Sequence, residues 1–107
     1  MISYNVTVKI DHGVHEDWYG WMTEHHIPDV MATGLFLEYR MSRILGLEDD
    51  DGYTYTIQYY LEDMDKLQEY QDEQATKLQS EHSERYKDRF GAFRTLMVIV
   101  DRSKPTF

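Results

Sequence analysis

The chain has 107 residues, enough for one domain, and 11 Lys and Arg against 20 Asp and Glu give it a formal net charge of −9. That charge disfavours nucleic acid and anionic membranes as partners, because both are bound through Lys and Arg. The chain has no Cys, no apolar run of about 20 residues and no signal-peptide pattern, which excludes disulfides, thiolate chemistry and a membrane span, so we expect a cytoplasmic protein.

The chain opens with a strand and a helix. Residues 2–10 place apolar side chains at even positions and polar ones at odd positions, which is typical of a half-buried strand. From Val14 the apolar residues recur at helical spacing, which predicts a first helix. Because Pro28 lacks a backbone donor and clashes with the preceding turn, we expect the helix to break or restart there and to close at Gly34.

A hairpin follows the first helix. Residues 35–46 and 53–60 both alternate with period two, and the sequence Glu-Asp-Asp-Asp-Gly at positions 48–52 supplies a solvated turn. The acidic turn resembles a calcium loop, but its first and twelfth positions would be Leu47 and Gln58. Since two carboxylates that calcium requires are missing, we predict no metal here.

The last elements are a long helix and a strand. Apolar residues between positions 64 and 90 keep approximate helical spacing, which predicts one helix capped by Asp63 or Asp65 and ended by Gly91. Residues 92–100 are rich in β-branched and aromatic side chains and predict the closing strand.

The resulting order, βαββαβ, predicts a ferredoxin-like α+β fold with a four-stranded antiparallel sheet and two helices on one face. We expect residues 1–101 to form this single domain and residues 102–107 a C-terminal tail. The side chains expected on the opposite, open face are Asn5, Thr7, Arg40, Ser42, Ile44, Thr56, Gln58, Tyr60, Arg94, Leu96 and Val98. Because this face is partly apolar, we expect a second copy of the chain to cover it, giving a homodimer.

Two adjacent histidines precede Pro28. Neighbouring residues on a helix point about 100° apart, so His25 and His26 could not readily share a metal ion, and we predict none. His25 follows Trp21 by four residues, which places both on the aromatic face as candidate ligand contacts. For His26 two interpretations stay open: it bonds a backbone carbonyl freed by Pro28, or it acts as a general base beside a pocket.

Three arginines on the predicted edge strands are candidate anchors for a small organic anion, because a guanidinium binds carboxylates through two parallel hydrogen bonds. Their alternation puts Arg40 and Arg94 on the open face and Arg43 on the helix face. The alternative is ion pairing with the many acidic residues or across a dimer interface. Tyr59 and its neighbouring aromatic residues are more typical of a core or interface, with a ligand pocket as the alternative.

The segment Trp21-Met22-Thr23-Glu24-His25-His26-Ile27-Pro28, in a βαββαβ chain of this length, resembles the dimeric α+β barrel superfamily. That group includes ethyl tert-butyl ether degradation proteins, antibiotic-biosynthesis monooxygenases and muconolactone isomerases. The chain is similar in particular to the domain-of-unknown-function family DUF4286, through Tyr4-Asn5-Val6-Thr7-Val8, the segment from His26 to Gly34, Gln58-Tyr59 and Phe93-Arg94-Thr95. The resemblance implies a homodimer whose two sheets pack face to face as a barrel, and it assigns no reaction.

Active members of the superfamily often need neither metal nor cofactor, and the His of their His-x-Pro motif corresponds to His26. We therefore predict no cofactor. One hypothesis is a pocket that binds or transforms a hydrophobic organic acid or quinone-like compound, with isomerase- or monooxygenase-type chemistry. In it His26 is the candidate base and Arg40 or Arg43 the anion anchor. The other hypothesis is a non-catalytic dimer module without a small-molecule site.

Overall fold

The computed structural model describes residues 1–47 and 51–103. Its strands are β1 (Ile2–Asp11), β2 (Glu38–Arg43), β3 (Gly52–Leu61) and β4 (Phe90–Val98). They form one antiparallel sheet in the order β2-β3-β1-β4, and the helical segments cover one face. This confirms the predicted ferredoxin-like α+β fold. The first part of the predicted acidic turn, residues 48–50, and the last part of the predicted tail, residues 104–107, lie outside the described residues.

Two helical arms connect the strands, and each contains one wider, π-helical turn. The first arm follows a short 3-10 turn (His12–Val14) and consists of α1 (His15–Trp21), a π turn (Met22–His26) and α2 (Ile27–Ala32). The second consists of α3 (Met64–Tyr70), a π turn (Gln71–Ala75) and α4 (Thr76–Arg85). Neither these helices nor any other among residues 1–47 and 51–103 is long and apolar enough to cross a bilayer.

The structure shows the predicted restart near Pro28 but no break: α2 begins at Ile27 after the π turn, with Pro28 in its first turn, and the arm continues. The backbone N–H of Ile27 donates to the carbonyl of Met22, five residues earlier, instead of four. This wider turn makes room for the proline ring, which would otherwise press on the carbonyl four residues before it. The arm closes at Gly34, as predicted, with a positive φ of 76°.

The second arm begins as predicted and ends early. The carboxylate of Asp63 accepts a hydrogen bond from the backbone N–H of Lys66 at 3.0 Å and caps α3. The arm then ends at Arg85 instead of continuing to Gly91, because the chain reverses at Asp88, whose φ is +63°. The residues from Phe90 onwards therefore belong to β4.

The core lies between the sheet and the two arms. The side chains of Trp18 and Ile27 from the first arm are fully buried, and Leu67 from the second is 1% exposed. They pack on the inward-facing residues of β1 and β3, such as Ile10 and Ile57. Burying an aliphatic side chain of this size contributes about 1.5 to 3 kcal/mol, so this layer supplies most of the driving force for folding.

The pairing of β4 with β1 corrects the predicted open face. Arg94 lies directly opposite Val6, and such pairs in an antiparallel sheet project to the same face. Arg94 therefore lies on the helix side, and the same register places Leu96 and Val98 there. The sequence did not show which face of β4 points inward, because apolar residues occur at both odd and even positions along this strand.

The open face is polar along its centre and apolar at the β4 edge. β1 contributes Ser3, Asn5 and Thr7, and β4 contributes Phe93 and Met97, which are 62% and 41% exposed. The hydroxyl oxygen of Ser3 and the Oδ1 atom of Asn5 are buried and have no hydrogen-bond partner among the described residues. This face thus carries both exposed apolar surface and unpaired polar atoms.

Candidate functional site

A cavity of about 210 Å³ lies between the sheet and the helical arms, beside β4. Its apolar lining comes from Val6, Val8, Met22, Val30, Ile57, Phe90 and Ala92. Its polar lining comes from Tyr4, His26, Tyr59, Tyr70, Gln79, His82, Ser83 and Arg94. Among the residues that the structure describes, no Asp or Glu lines it, so Arg94 is the cavity's charged side chain.

The π turn of the first arm decides which histidine reaches this cavity. His26 is half-buried and lines the cavity, whereas His25 is exposed and lines a shallow surface groove with Glu24 and Arg85. His25 lies beside Trp21, as expected, but on the exposed side of the arm. The π turn advances by a smaller angle per residue than an α-helix and brings His26, not His25, to the cavity. The cavity therefore does not include His25.

The indole ring of Trp21 packs against the imidazole of His26. The two rings stack with centroids 5.0 Å apart and an interplanar angle of 25°. Trp21 itself lines the shallow surface groove and is half-buried, so it contacts the candidate base and not the cavity. Trp21, a predicted ligand contact, therefore packs against His26 instead of lining the cavity.

The imidazole of His26 is neutral and partly unsatisfied. Burial lowers its pKa to about 4, with a smaller contribution in the same direction from Arg94, while the carboxylate of Asp29 opposes the shift. Its Nδ1 atom is buried without a hydrogen-bond partner among the described residues, so His26 forms no backbone cap through this atom. In the neutral ring this nitrogen accepts a proton or a hydrogen bond when the ring proton is on Nε2.

A second imidazole, His82 of α4, lies 5.8 Å from His26 between ring centroids. Its Nε2 accepts a hydrogen bond from the indole Nε1–H of Trp18 at 2.9 Å. Burial lowers the pKa of His82 to about 4, and His26 and Arg94 add to the shift. His82 falls on the helical stripe between positions 64 and 90, but the sequence analysis did not single it out as a candidate site residue. A titratable residue inside such a stripe was the available signal.

Tyrosines form the aromatic end of the cavity. Tyr59, a predicted ligand contact, is 3% exposed and lies with its ring 6.3 Å from that of Tyr4. Burial raises the pKa of both Tyr59 and Tyr70, so both phenols stay protonated. The Tyr4 hydroxyl accepts a hydrogen bond from Gln79 Nε2 at 3.5 Å. This end of the cavity therefore offers flat apolar rings with hydroxyl groups at their tips.

The three candidate arginines are separated. Arg94 is exposed at the cavity and makes no ion pair with any described carboxylate. Arg40 and Arg43 line a different, shallow groove at the β2 edge, where the Arg43 guanidinium lies 5.0 Å from the ring centroid of Tyr53. Arg40 and Arg43, the expected anion anchors, thus line a groove separate from the cavity, and Arg94 is the candidate arginine that lines the cavity with His26.

Solved structures of known proteins share this fold over nearly the whole chain. A variant of MhuD with two manganese protoporphyrin IX molecules bound per active site has a TM-score of 0.69 at 12% identity, covering 98% of this chain and 100% of its own. A dimeric ferredoxin-like protein from an uncultured marine organism has a TM-score of 0.68 at 7% identity, covering 98% and 100%.

SnoaB, a cofactor-independent oxygenase from Streptomyces nogalater, has a TM-score of 0.64 at 11% identity, covering 94% of this chain and 95% of its own. At these identities the likeness shows the fold alone. No match was found among curated proteins. The family model described as "Domain of unknown function (DUF4286)" matches residues 1–100, and the chain belongs to this family.

Proposed function

We propose that the cavity binds a small organic anion with one or two rings, such as a hydrophobic organic acid or a quinone-like compound. One observation carries the proposal. The chain has 20 Asp and Glu, yet the described residues that line this cavity are apolar and aromatic side chains, a few neutral polar groups that include two imidazoles, and one arginine. Largely apolar walls with a few convergent polar groups are the usual design of a ligand site. The volume of about 210 Å³ favours a compact ligand over a macrocycle.

Each polar group has a chemical role in this proposal. Arg94 pairs with the anionic group of the ligand, since it has no competing carboxylate among the described lining residues. His26 is the candidate general base, because its neutral ring lines the cavity and its Nδ1 lacks a partner among the described residues. In this proposal its proton is on Nε2, which leaves the Nδ1 lone pair to take a proton from the ligand. The negative charge of a bound ligand raises the basicity of His26, which compensates for the effect of burial.

Proton removal by His26 leaves the electron pair on the ligand as an enolate or phenolate, whose charge faces Arg94. That anion either regains a proton at another carbon, as in an isomerase, or adds dioxygen at carbon and is protonated to a hydroperoxide. Loss of water from the hydroperoxide leaves a new carbonyl group, so the ligand itself supplies both electrons that reduce the second oxygen atom to water, as in a monooxygenase without a cofactor. SnoaB, described as a cofactor-independent oxygenase, supports the second course through its similar fold. We accordingly propose an activity that needs no bound cofactor.

Binding of 2-naphthoate and of 2-hydroxy-1,4-naphthoquinone, measured by calorimetry, tests the proposal. His26→Ala and Arg94→Ala should each weaken binding about ten-fold, as expected for loss of a hydrogen bond to a charged group. His25→Ala and Arg40→Ala are the matched controls, because each removes the same side-chain type outside the cavity, and both should stay within about two-fold. Absence of binding to the wild-type protein, or equal losses in all four variants, would contradict the proposal and favour a non-catalytic module.

We also infer that two copies pair through their open sheet faces. The inference is supported by the exposed Phe93 and Met97 and by the unpaired Ser3 and Asn5 atoms on that face. It is further supported by the similar marine protein, which is described as dimeric. Because the open face and the cavity lie on opposite sides of the sheet, a dimer of this kind leaves the cavity accessible.

A further inference from the structure

Within the proposed function, on which this inference rests, we propose that His82 determines the ligand specificity of the cavity. Its Nδ1–H donates a hydrogen bond to an oxygen atom of the ligand, and Trp18 is the positioning residue that keeps the proton on Nδ1. The ligand class that follows is an anion whose oxygen atoms accept hydrogen bonds, such as an aromatic carboxylate.

The contact between Trp18 and His82 fixes which nitrogen carries the proton. The indole of Trp18 is fully buried, and its Nε1–H lies 2.9 Å from Nε2 of His82. Because an indole nitrogen can only donate, Nε2 must accept with its lone pair. In the neutral ring the single proton is therefore on Nδ1.

The surroundings of His82 keep the ring neutral. Protonation would place a hydrogen on Nε2 that points at the N–H of Trp18, so the two donors would repel each other. Burial of the ring also disfavours its charged form. His26 of the first arm and Arg94 of β4 both oppose a positive charge on the ring. No described carboxylate lines the cavity to offset them.

Aromatic neighbours hold the ring in place. Phe90 contacts it edge to face, with centroids 4.5 Å apart and an interplanar angle of 87°, and Tyr86 lies 5.5 Å away. Turning the ring over would break the bond to Trp18, so the orientation of Nδ1 is set by packing and hydrogen bonding together. The described residues supply no acceptor for Nδ1–H, which leaves this donor for a ligand in the cavity that His82 lines.

The polar groups of the cavity then favour an anionic oxygen. His82 offers an N–H and Arg94 a guanidinium, and the ring of His26 lies 5.8 Å from that of His82. A cationic ligand would meet the charge of Arg94 and find no described carboxylate among the lining residues. We expect 2-naphthoate to bind, and 2-naphthalenemethanol and 2-naphthylmethylammonium, which share its ring system, to bind at least about ten-fold more weakly.

Two substitutions of His82 separate its roles. His82→Gln places an amide oxygen where Nε2 accepts from Trp18 but has no donor at the position of Nδ1. His82→Asn places an amide nitrogen near the position of Nδ1 but gives Trp18 no acceptor. We expect the Gln variant to keep most of its stability and bind 2-naphthoate at least about ten-fold more weakly, and the Asn variant to be less stable yet bind more tightly than the Gln variant.

A nitrogen-15 NMR measurement tests the tautomer without any ligand and does not depend on how the His82 variants fold. At pH 7 we expect the wild-type His82 ring to show the Nδ1–H form, and Trp18→Phe to shift it toward Nε2–H and weaken 2-naphthoate binding several-fold. A wild-type Nε2–H form, or a charged ring at pH 7, would overturn the inference. So would tight 2-naphthoate binding by the Gln variant.

These outcomes also separate the inference from the function on which it rests. If 2-naphthoate binds the wild type and Arg94→Ala weakens it while His82→Gln does not, the proposed function stands and the role of His82 is refuted. If the wild type binds none of the probes, the proposed function fails and the specificity assigned to His82 fails with it. Binding of the ammonium probe as tight as that of 2-naphthoate overturns the ligand class alone.

Discussion

The two faces of the sheet are made from alternate residues of the same strands, yet they differ in kind. On the helix side, Tyr4 and Tyr59 are buried beside a cavity that also contains imidazoles from both arms. On the open side, β1 shows Ser3 and Asn5, whose polar atoms are buried without partners among the described residues. The difference shows that the strands contribute mainly apolar and aromatic side chains to the cavity, whereas its two imidazoles come from the helical arms.

Substituting one large aromatic residue on each side should give the largest contrast. Trp18→Ala removes a fully buried indole and its hydrogen bond to His82, so we expect a loss of about 3 to 5 kcal/mol in the free energy of unfolding. Tyr60→Ala on the open face should cost about 1 kcal/mol at low protein concentration, because that side chain is only half-buried. Urea denaturation measures both. A cost for Tyr60→Ala that rises with protein concentration would show that a second copy covers the open face.

The next largest effect concerns pH. Because the pKa values of His26 and His82 are about 4 in the folded protein and near 6.5 in the unfolded chain, only the unfolded chain binds these protons between those values. The free energy of unfolding should therefore fall as the pH drops from about 6.5 toward 4, by on the order of 3 kcal/mol per imidazole. Urea melts at several pH values provide the measurement.

Variants provide the control for this pH dependence. His26→Gln and His82→Gln should each flatten the decline in stability, and His25→Gln should leave the wild-type slope unchanged. If the stability of His26→Gln and His82→Gln fell with pH as steeply as that of the wild type, the pH dependence would come from other groups. The proposed contrast between the two faces of the sheet would then be lost.

A smaller effect is expected on association through the open face. Phe93→Glu places a charge on the proposed interface and should weaken dimerisation at least about ten-fold. Leu96→Glu makes the same change at an exposed apolar residue of β4 that faces the helix side, so it should leave dimerisation unchanged. Sedimentation velocity distinguishes the two. A wild-type protein that is monomeric at micromolar concentration would refute the inferred dimer.

The smallest effect separates the adjacent histidines. His26→Ala removes the ring that stacks on Trp21 and should cost about 1 kcal/mol of stability, as expected for an aromatic pair. His25→Ala, which truncates an exposed side chain, should stay within about 0.5 kcal/mol of the wild type. Equal costs in denaturant melts would mean that the π turn does not distinguish these two positions.

Sequence patterns predicted the fold well because strands and helices bury their residues with different periods. Alternation in β1, β2 and β3, helical spacing in both arms and the β-branched and aromatic residues of β4 were sufficient for the βαββαβ order. The site was harder to predict. Arg94 lines the cavity because β4 pairs with β1 in a register that puts Arg94 opposite Val6. The sequence does not reveal this register, because β4 has apolar residues at both odd and even positions.

The orientation of the histidines could not be predicted for a related reason. Helical spacing assumes a constant angle per residue, and the π turn before Ile27 changes that angle. Pro28 was the visible sign of an irregularity, but it did not indicate which form the irregularity would take. His82 was visible in the helical stripe, whereas its contact with Trp18, 64 residues away in the chain, required the folded structure.

Each π turn has an evolutionary consequence. A π turn lets a helix carry one additional residue while the segments before and after it keep their own packing. In the first arm this turn includes Met22 and His26, which both line the cavity. An insertion or deletion of one residue there could change the chemistry of the cavity within a single mutational event, without a new fold and without repacking the core on either side.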